Sequence, residues 1–119
     1  MLILIADDSM FMKKVLGKFL ISMGHKIVEA ENGQDAVLKY QEYHPDLVTM
    51  DITMPVMDGL EALEKIKTLD SNAKVIMVSA MGQRSFILDA MNNGAIDYII
   101  KPFQKDNISE VVQKALTRS

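Results

Sequence analysis

The apolar residues of this chain follow two alternating rhythms. "LILIA", residues 2–6, is a continuous run of the length of a buried strand. It is followed by Met12, Val15, Leu16, Phe19, Leu20 and Met23, the i, i+3, i+4, i+7 spacing of one helix face. Asp8 or Ser9 is placed to cap that helix and Gly24 to end it. "KIVEA" predicts a second strand, and "NGQDAVLKYQEY" a second helix with Ala36, Val37 and Tyr40 on one face. After Pro45, "DLVTMD" is a third strand; "ITMPVMDG" is a loop marked by Pro55 and Gly59. Leu60, Leu63 and Ile66 line a third helix, and "AKVIMVSA" is a fourth strand, apolar enough to be buried on both faces. Phe86, Ile87, Ala90 and Met91 mark a fourth helix that stops at "NNG". "DYIIKP" is a fifth strand, and Ile108, Val111, Val112, Ala115 and Leu116 form the clearest helical stripe of all.

Five strands in strict alternation with five helices imply an α/β fold, a parallel sheet covered on both faces. No linker, repeat or low-complexity segment interrupts the pattern, so residues 1–119 read as one domain with one sizeable core. The order of the strands is not contained in the alternation.

Composition narrows the setting. A chain that is 49% hydrophobic and 24% charged is ordinary for a globular protein. With no cysteine there is no disulfide frame, thiolate metal site or cysteine nucleophile. No apolar run approaches the roughly 18 residues of a membrane span, and no basic region precedes the first apolar stretch, so a cytoplasmic protein is expected. A net charge of −3 argues against a nucleic-acid surface. Ten methionines and no tryptophan are unusual, and methionine is first of all a core filler.

The chemistry lies where the strands end. Parallel α/β sheets bind ligands in the crevice beyond the carboxyl ends of their strands. The first strand delivers Asp7 and Asp8 to that edge, the third Asp51, the fourth Ser79 and the fifth Lys101. Singly, each has an ordinary explanation: a helix cap, a solvated strand end, a hydroxyl bonded to backbone. If the first, third, fourth and fifth strands neighbour one another, these residues converge on one pocket, an oxygen-rich set suited to a hard divalent ion, Mg²⁺ above all. A carboxylate can also attack phosphorus to give an aspartyl-phosphate, and metal, ammonium and hydroxyl would then share the phosphoryl charge. Asp51, alone at the end of its strand, is the natural nucleophile, and Asp7 and Asp8 are placed as metal ligands.

The residues "ADDS", "VTMDITMPVMDG", "VSAMG" and "DYIIKPF" occur in order over essentially the whole chain, and in this the sequence resembles a bacterial response-regulator receiver domain. "DDSMFMKKVL" and "SAMGQ" are similar to stand-alone chemotaxis regulators of the CheY-like class. The resemblance implies a doubly wound, flavodoxin-like sheet of order 2-1-3-4-5. It implies Asp51 as phosphoacceptor, with Asp8, Asp51 and the Thr53 carbonyl as Mg²⁺ ligands and Asp7 contributing through water. Lys101 would pair with the phosphoryl group, followed by a cis peptide bond to Pro102. Ser79 would turn to a phosphoryl oxygen and Tyr98 would swing inward, changing the surface of the fourth helix, fifth strand and fifth helix. The implied partners are a CheA-like sensor histidine kinase, a phosphatase and a downstream target such as the flagellar motor switch, without direct contact to nucleic acid or membrane. The implied role is that of a signalling phosphoacceptor, not an enzyme with an external substrate.

Two positions carry more particular expectations. Thr53 and Met81 flank the path of hydrolytic water, and Met81 offers that water no hydrogen bond, so the phosphoryl group is expected to be long-lived. Met10, Met54, Met57 and Met81 are candidates for a soft contact surface toward the kinase, with core filling the simpler role for most. Among alternatives, an aspartate-nucleophile phosphohydrolase commonly carries a second Asp where Thr53 stands, and it needs room for a substrate cap. A flavin module would need a Ser, Thr or Gly-rich phosphate loop where the acidic pair lies, and the full acidic set speaks against a receiver that signals without phosphate. The receiver portion of a longer DNA-binding regulator is a further alternative; the chemotaxis-like motifs favour a stand-alone protein.

Overall fold

The computed structural model describes residues 1–118. Its elements are β1 (Leu2–Ala6), α1 (Met10–Ser22), β2 (Lys26–Ala30), α2 (Gly33–Tyr43), β3 (Leu47–Asp51), α3 (Gly59–Leu69), β4 (Val75–Ser79), α4 (Arg84–Asn92), β5 (Asp97–Ile100) and α5 (Lys105–Thr117). All strand pairs are parallel, in the order β2-β1-β3-β4-β5. The alternation, the doubly wound class and the strand order agree with the expectations above.

Local chemistry sets the element ends. The Ser9 hydroxyl accepts the Met12 N–H at 3.2 Å, the Asn32 side chain accepts from Asp35 at 2.8 Å, and Asp58 from Glu61 at 2.9 Å. Of the two candidates for the first cap it is therefore Ser9 that serves, and the Asp8 carboxylate is left for other use. Strands are shorter than the apolar runs. Asp46 precedes β3, where its carboxylate accepts the Leu2 N–H, and Lys101 follows β5, although its N–H still donates to Ser79 O at 2.8 Å.

The pleat divides the core in two. Leu4, Ala6, Val48, Met50, Val75 and Met77 pack beneath α2, α3 and α4, while Ile3, Ile5, Leu47, Ile76 and Ile99 pack against α1 and α5. In α4 only Ile87 and Ala90 are buried; Phe86 and Met91 stand about 100° around the helix from that row and are exposed. The same alternation positions the site. Asp7, Asp51 and Lys101 continue the parity of Ile3 and Ile5, of Leu47 and Thr49, and of Ile99, so three charged residues share the α1/α5 side of the carboxyl edge. Ser79 continues the opposite parity of Val75 and Met77.

Candidate functional site: an acidic pocket at the carboxyl edge

Carboxylate oxygens of Asp7, Asp8 and Asp51 lie within 4.8 Å of one another. Asp7 and Asp51 are only 4% and 7% exposed, whereas Asp8 is open to solvent. The Lys101 ammonium reaches both buried acids, at 3.3 Å from Asp7 Oδ2 and 3.3 Å from Asp51 Oδ2. The other Asp7 oxygen accepts the Ser9 N–H at 2.9 Å, which fixes the carboxylate against the start of α1. One ammonium does not balance three carboxylates. Burial pushes the Asp51 carboxyl up to about 6, with the Asp7 charge adding to the shift and Lys101 opposing it. Burial works to lower the pKa of Lys101, but the charges of Asp51 and Asp7 outweigh it and hold the ammonium above its ordinary range. A compact, all-oxygen donor set with surplus negative charge fits a hard divalent cation.

The loop after Asp51 is held tightly against it. The Ile52 N–H donates to Val78 O at 3.1 Å, and the Gly59 N–H returns to Ile52 O at 2.8 Å. A Cβ on Gly59 would stand 2.0 Å from the Asp51 carbonyl oxygen, so only glycine lets α3 begin this close to the central strand tip. Between them, the Met57 N–H donates to Pro55 O at 2.7 Å, a three-residue turn that holds Val56 at φ 69°. A β-branched residue in the left-handed region is strained, and here it is also exposed. Nothing in the residue pattern signals that strain.

The other expected residues take distinct places. Ser79 is 0% exposed and its hydroxyl finds no hydrogen-bond partner, although its carbonyl accepts the Lys101 N–H at 2.8 Å. A buried hydroxyl left without a partner costs free energy, which a ligand oxygen at the edge would relieve. Tyr98 is not part of the pocket: its side chain is 42% exposed, over the groove between α4 and β5. The peptide bond from Lys101 to Pro102 is cis. Met10 and Met81 are exposed, Met81 by 80%, and Met81 lines a shallow groove with Tyr98, Ile100 and Lys101. Met54 is buried in the core and fills space, while Met57 is half-buried and packs against that core.

One residue of the site was not singled out from the sequence. The Gln83 side chain donates to the Thr53 hydroxyl at 2.9 Å and accepts the Ala80 N–H at 2.8 Å, joining the loops after β3 and β4. Its position inside the "SAMGQ" motif is the only signal the sequence carried. Among the described residues, no helix is long and apolar enough to cross a membrane.

Comparison with known proteins places these features in a family. Residues 3–113 match the family model of the response regulator receiver domain. The chain is 54% identical over 115 residues to the chemotaxis protein CheY of Bacillus subtilis, covering 96% of each chain. It is 46% identical over 113 residues to that of Thermotoga maritima, covering 94% of each. Among solved structures, the receiver domain of NtrX from Brucella abortus superposes with a TM-score of 0.94 at 31% identity, covering 98% of this chain and 99% of that one. CheY in the CheX–CheY–BeF3–Mg²⁺ complex of Borrelia burgdorferi superposes with a TM-score of 0.93 at 38% identity, covering 98% and 90%.

Proposed function

The chain belongs to the response regulator receiver family and acts as a phosphorylation-activated switch in two-component signalling, and on that premise we propose that Asp51 is its phosphoacceptor in a chemotaxis pathway. The observation that carries the proposal is the pocket itself, in which two buried carboxylates share a single ammonium while a third lies within 4.8 Å. A histidine kinase supplies the phosphoryl group and a downstream protein reads the result. We assign these partners as a CheA-like kinase and a target such as the flagellar switch, by analogy with the CheY relatives. Residues 1–119 are proposed to act as one receiver unit in the cytoplasm.

In the proposed transfer, an Asp51 carboxylate oxygen attacks phosphorus. The bond from phosphorus to the kinase histidine nitrogen breaks, the nitrogen leaves with the electron pair, and the product is an acyl phosphate. Lys101, already paired with Asp51, remains beside the new phosphoryl oxygens and stabilises their charge. Asp8, Asp51 and the Thr53 carbonyl would hold Mg²⁺, with Asp7 contributing through water; when bound, the ion neutralises charge as a Lewis acid. That the Borrelia relative was solved in a complex with BeF3 and Mg²⁺ supports a receiver of this kind accepting both groups. Ser79 gains in the phosphorylated state the partner its hydroxyl now lacks, which favours that arrangement of the β4 tip. Tyr98 then moves from its exposed position toward the sheet, and the α4, β5 and α5 surface changes.

The test is intact mass after incubation with acetyl phosphate and Mg²⁺. A single phosphoryl adduct that requires Mg²⁺ and is absent from Asp51→Asn is expected; an adduct that persists in Asp51→Asn contradicts the assignment. Its decay in Mg²⁺ is expected to be slow, since Met81 gives the attacking water no hydrogen bond. A half-life of seconds would contradict that part.

A further inference from the structure

The carboxamide of Gln83 makes two hydrogen bonds that have no part in holding its own helix. Gln83 stands at the N-terminal boundary of α4, yet its side chain caps none of the free α4 N–H groups. It reaches instead across the edge of the sheet, donating to Thr53 Oγ at 2.9 Å and accepting from the Ala80 N–H at 2.8 Å. Thr53 lies two residues after Asp51, and Ala80 directly follows Ser79. The two residues tied together therefore flank the proposed phosphoacceptor on one side and the orphaned hydroxyl on the other.

The chemistry at Ala80 matters most. An amide carbonyl oxygen there satisfies a backbone N–H at the tip of β4, beside the hydroxyl that would turn to a phosphoryl oxygen. A phosphoryl group on Asp51 brings strong acceptor oxygens to the same tip, and the Ala80 N–H can turn toward them only by leaving the Gln83 carbonyl oxygen. We propose that Gln83 is a clasp of the unphosphorylated state, a positioning residue that opposes the shift of the β4 tip and releases as the phosphoryl group forms. This inference rests on the reading of Asp51 as phosphoacceptor. The clasp also has a route outward. The Gln83 carbonyl accepts the Ile87 N–H at 3.1 Å, so the residue that leaves the tip also begins α4. Beside it a groove of about 500 Å³, lined by Gln83, Ile87, Leu88, Met91, Tyr98 and Ile100, gives the released side chain and Tyr98 space to rearrange. Gly82, at φ 90° with nothing within 4 Å of a Cβ built on it, is the turn on which the segment can swing.

The experiment is an equilibrium titration with beryllium fluoride, a phosphoryl mimic, in Mg²⁺. Because the chain has no tryptophan, binding is read from amide NMR. Wild type is compared with Gln83→Met, which keeps side-chain length without hydrogen bonds, and with Gln83→Ala. Both are expected to bind the mimic about three- to tenfold more tightly, the effect of one net hydrogen bond no longer opposing binding. In ligand-free protein, hydrogen exchange at the Ala80 amide is expected to accelerate in both, with the rest of the core unchanged. Adding Thr53→Val to Gln83→Met is expected to have less effect than Thr53→Val in wild type, since the two act through one contact. Unchanged or weaker binding by Gln83→Met overturns the clasp. So does tighter binding by Gln83→Ala alone, which would make side-chain volume the cause. If wild type itself shows no Mg²⁺-dependent response, the reading of the pocket falls and the clasp with it; if wild type responds and Gln83→Met matches it, the clasp alone fails.

Discussion

The two ends of the sheet carry the same kinds of polar side chain and use them in opposite ways. At the amino end the Tyr40 hydroxyl donates to Asp70 at 2.8 Å, the Lys67 ammonium donates to the carbonyls of Ser71 and Ala73 at 2.7 and 2.9 Å, and Lys74 donates to the Arg118 carbonyl at 2.6 Å. These groups each meet a neighbour that satisfies them, although the buried Nδ1 of His25, just before β2, has none. At the carboxyl end two buried carboxylates share one ammonium, a third is close by, a buried hydroxyl has no partner, and Val56 is held in a strained conformation. The charges at the amino end hold the chain together. Those at the carboxyl end are held together by the chain, at a cost in stability, in an arrangement that, on the function proposed above, a cation and a phosphoryl group would complete.

The contrast reaches the response to pH. Asp51 has a folded-state pKa raised to about 6, so its protonated form favours folding. That contribution is full below the ordinary carboxylate range and is lost as pH rises through 6. Asp70 is shifted the other way, lowered first by the hydrogen bond from Tyr40 and then by the Asn72 N–H. Its contribution is present above the ordinary range and is lost as pH falls through the lowered value.

Substitutions can break this comparison in order of expected size. Gly59→Ala places a methyl group against the Asp51 carbonyl and should destabilise the fold by about 3 kcal/mol or more in urea unfolding; a loss under about 1 kcal/mol would mean that the loop yields easily. Asp51→Asn should stabilise the metal-free protein at pH 7 by about 1–2 kcal/mol, less than the roughly 1.4 kcal/mol per pKa unit would give, because attraction to Lys101 is lost as well. The gain should shrink as pH falls toward 4, and a destabilised Asp51→Asn would remove the claim of surplus charge. Tyr40→Phe, at the opposite end, should cost about 1 kcal/mol of stability while leaving phosphoryl uptake unchanged. Any change in uptake would mean that the two ends are not independent. Val56→Gly should raise stability by about 0.5 kcal/mol, strain relief outweighing the added freedom of the unfolded chain. A loss would show that the turn is not strained.

The difference between the two ends also explains what could be read from the chain. Asp7, Asp8, Asp51, Ser79 and Lys101 were legible because each closes or follows an apolar run, and a parallel sheet brings every run's end to one edge. The order of the strands came only with the resemblance, since alternation is satisfied by more than one winding. Gln83 was missed because its two bonds depend on how closely two loops approach, which no periodicity records. The left-handed turn at Val56 is likewise a tertiary result: its residue type argues against the conformation that the bond from Met57 to Pro55 imposes. Met54 illustrates the converse, a residue beside the site in sequence whose side chain goes to the core.

The most direct test of the account follows the backbone amides as Mg²⁺ and then beryllium fluoride are added. Mg²⁺ should shift the amides around Asp7, Asp8, Asp51 and Thr53. Beryllium fluoride should then move Ser79, Ala80, α4 and Tyr98, leave the surroundings of Tyr40 and Asp70 in place, and do none of this in Asp51→Asn. Shifts that spread to the amino end, or that survive Asp51→Asn, would contradict the claim that the carboxyl edge is the switch and Asp51 its acceptor.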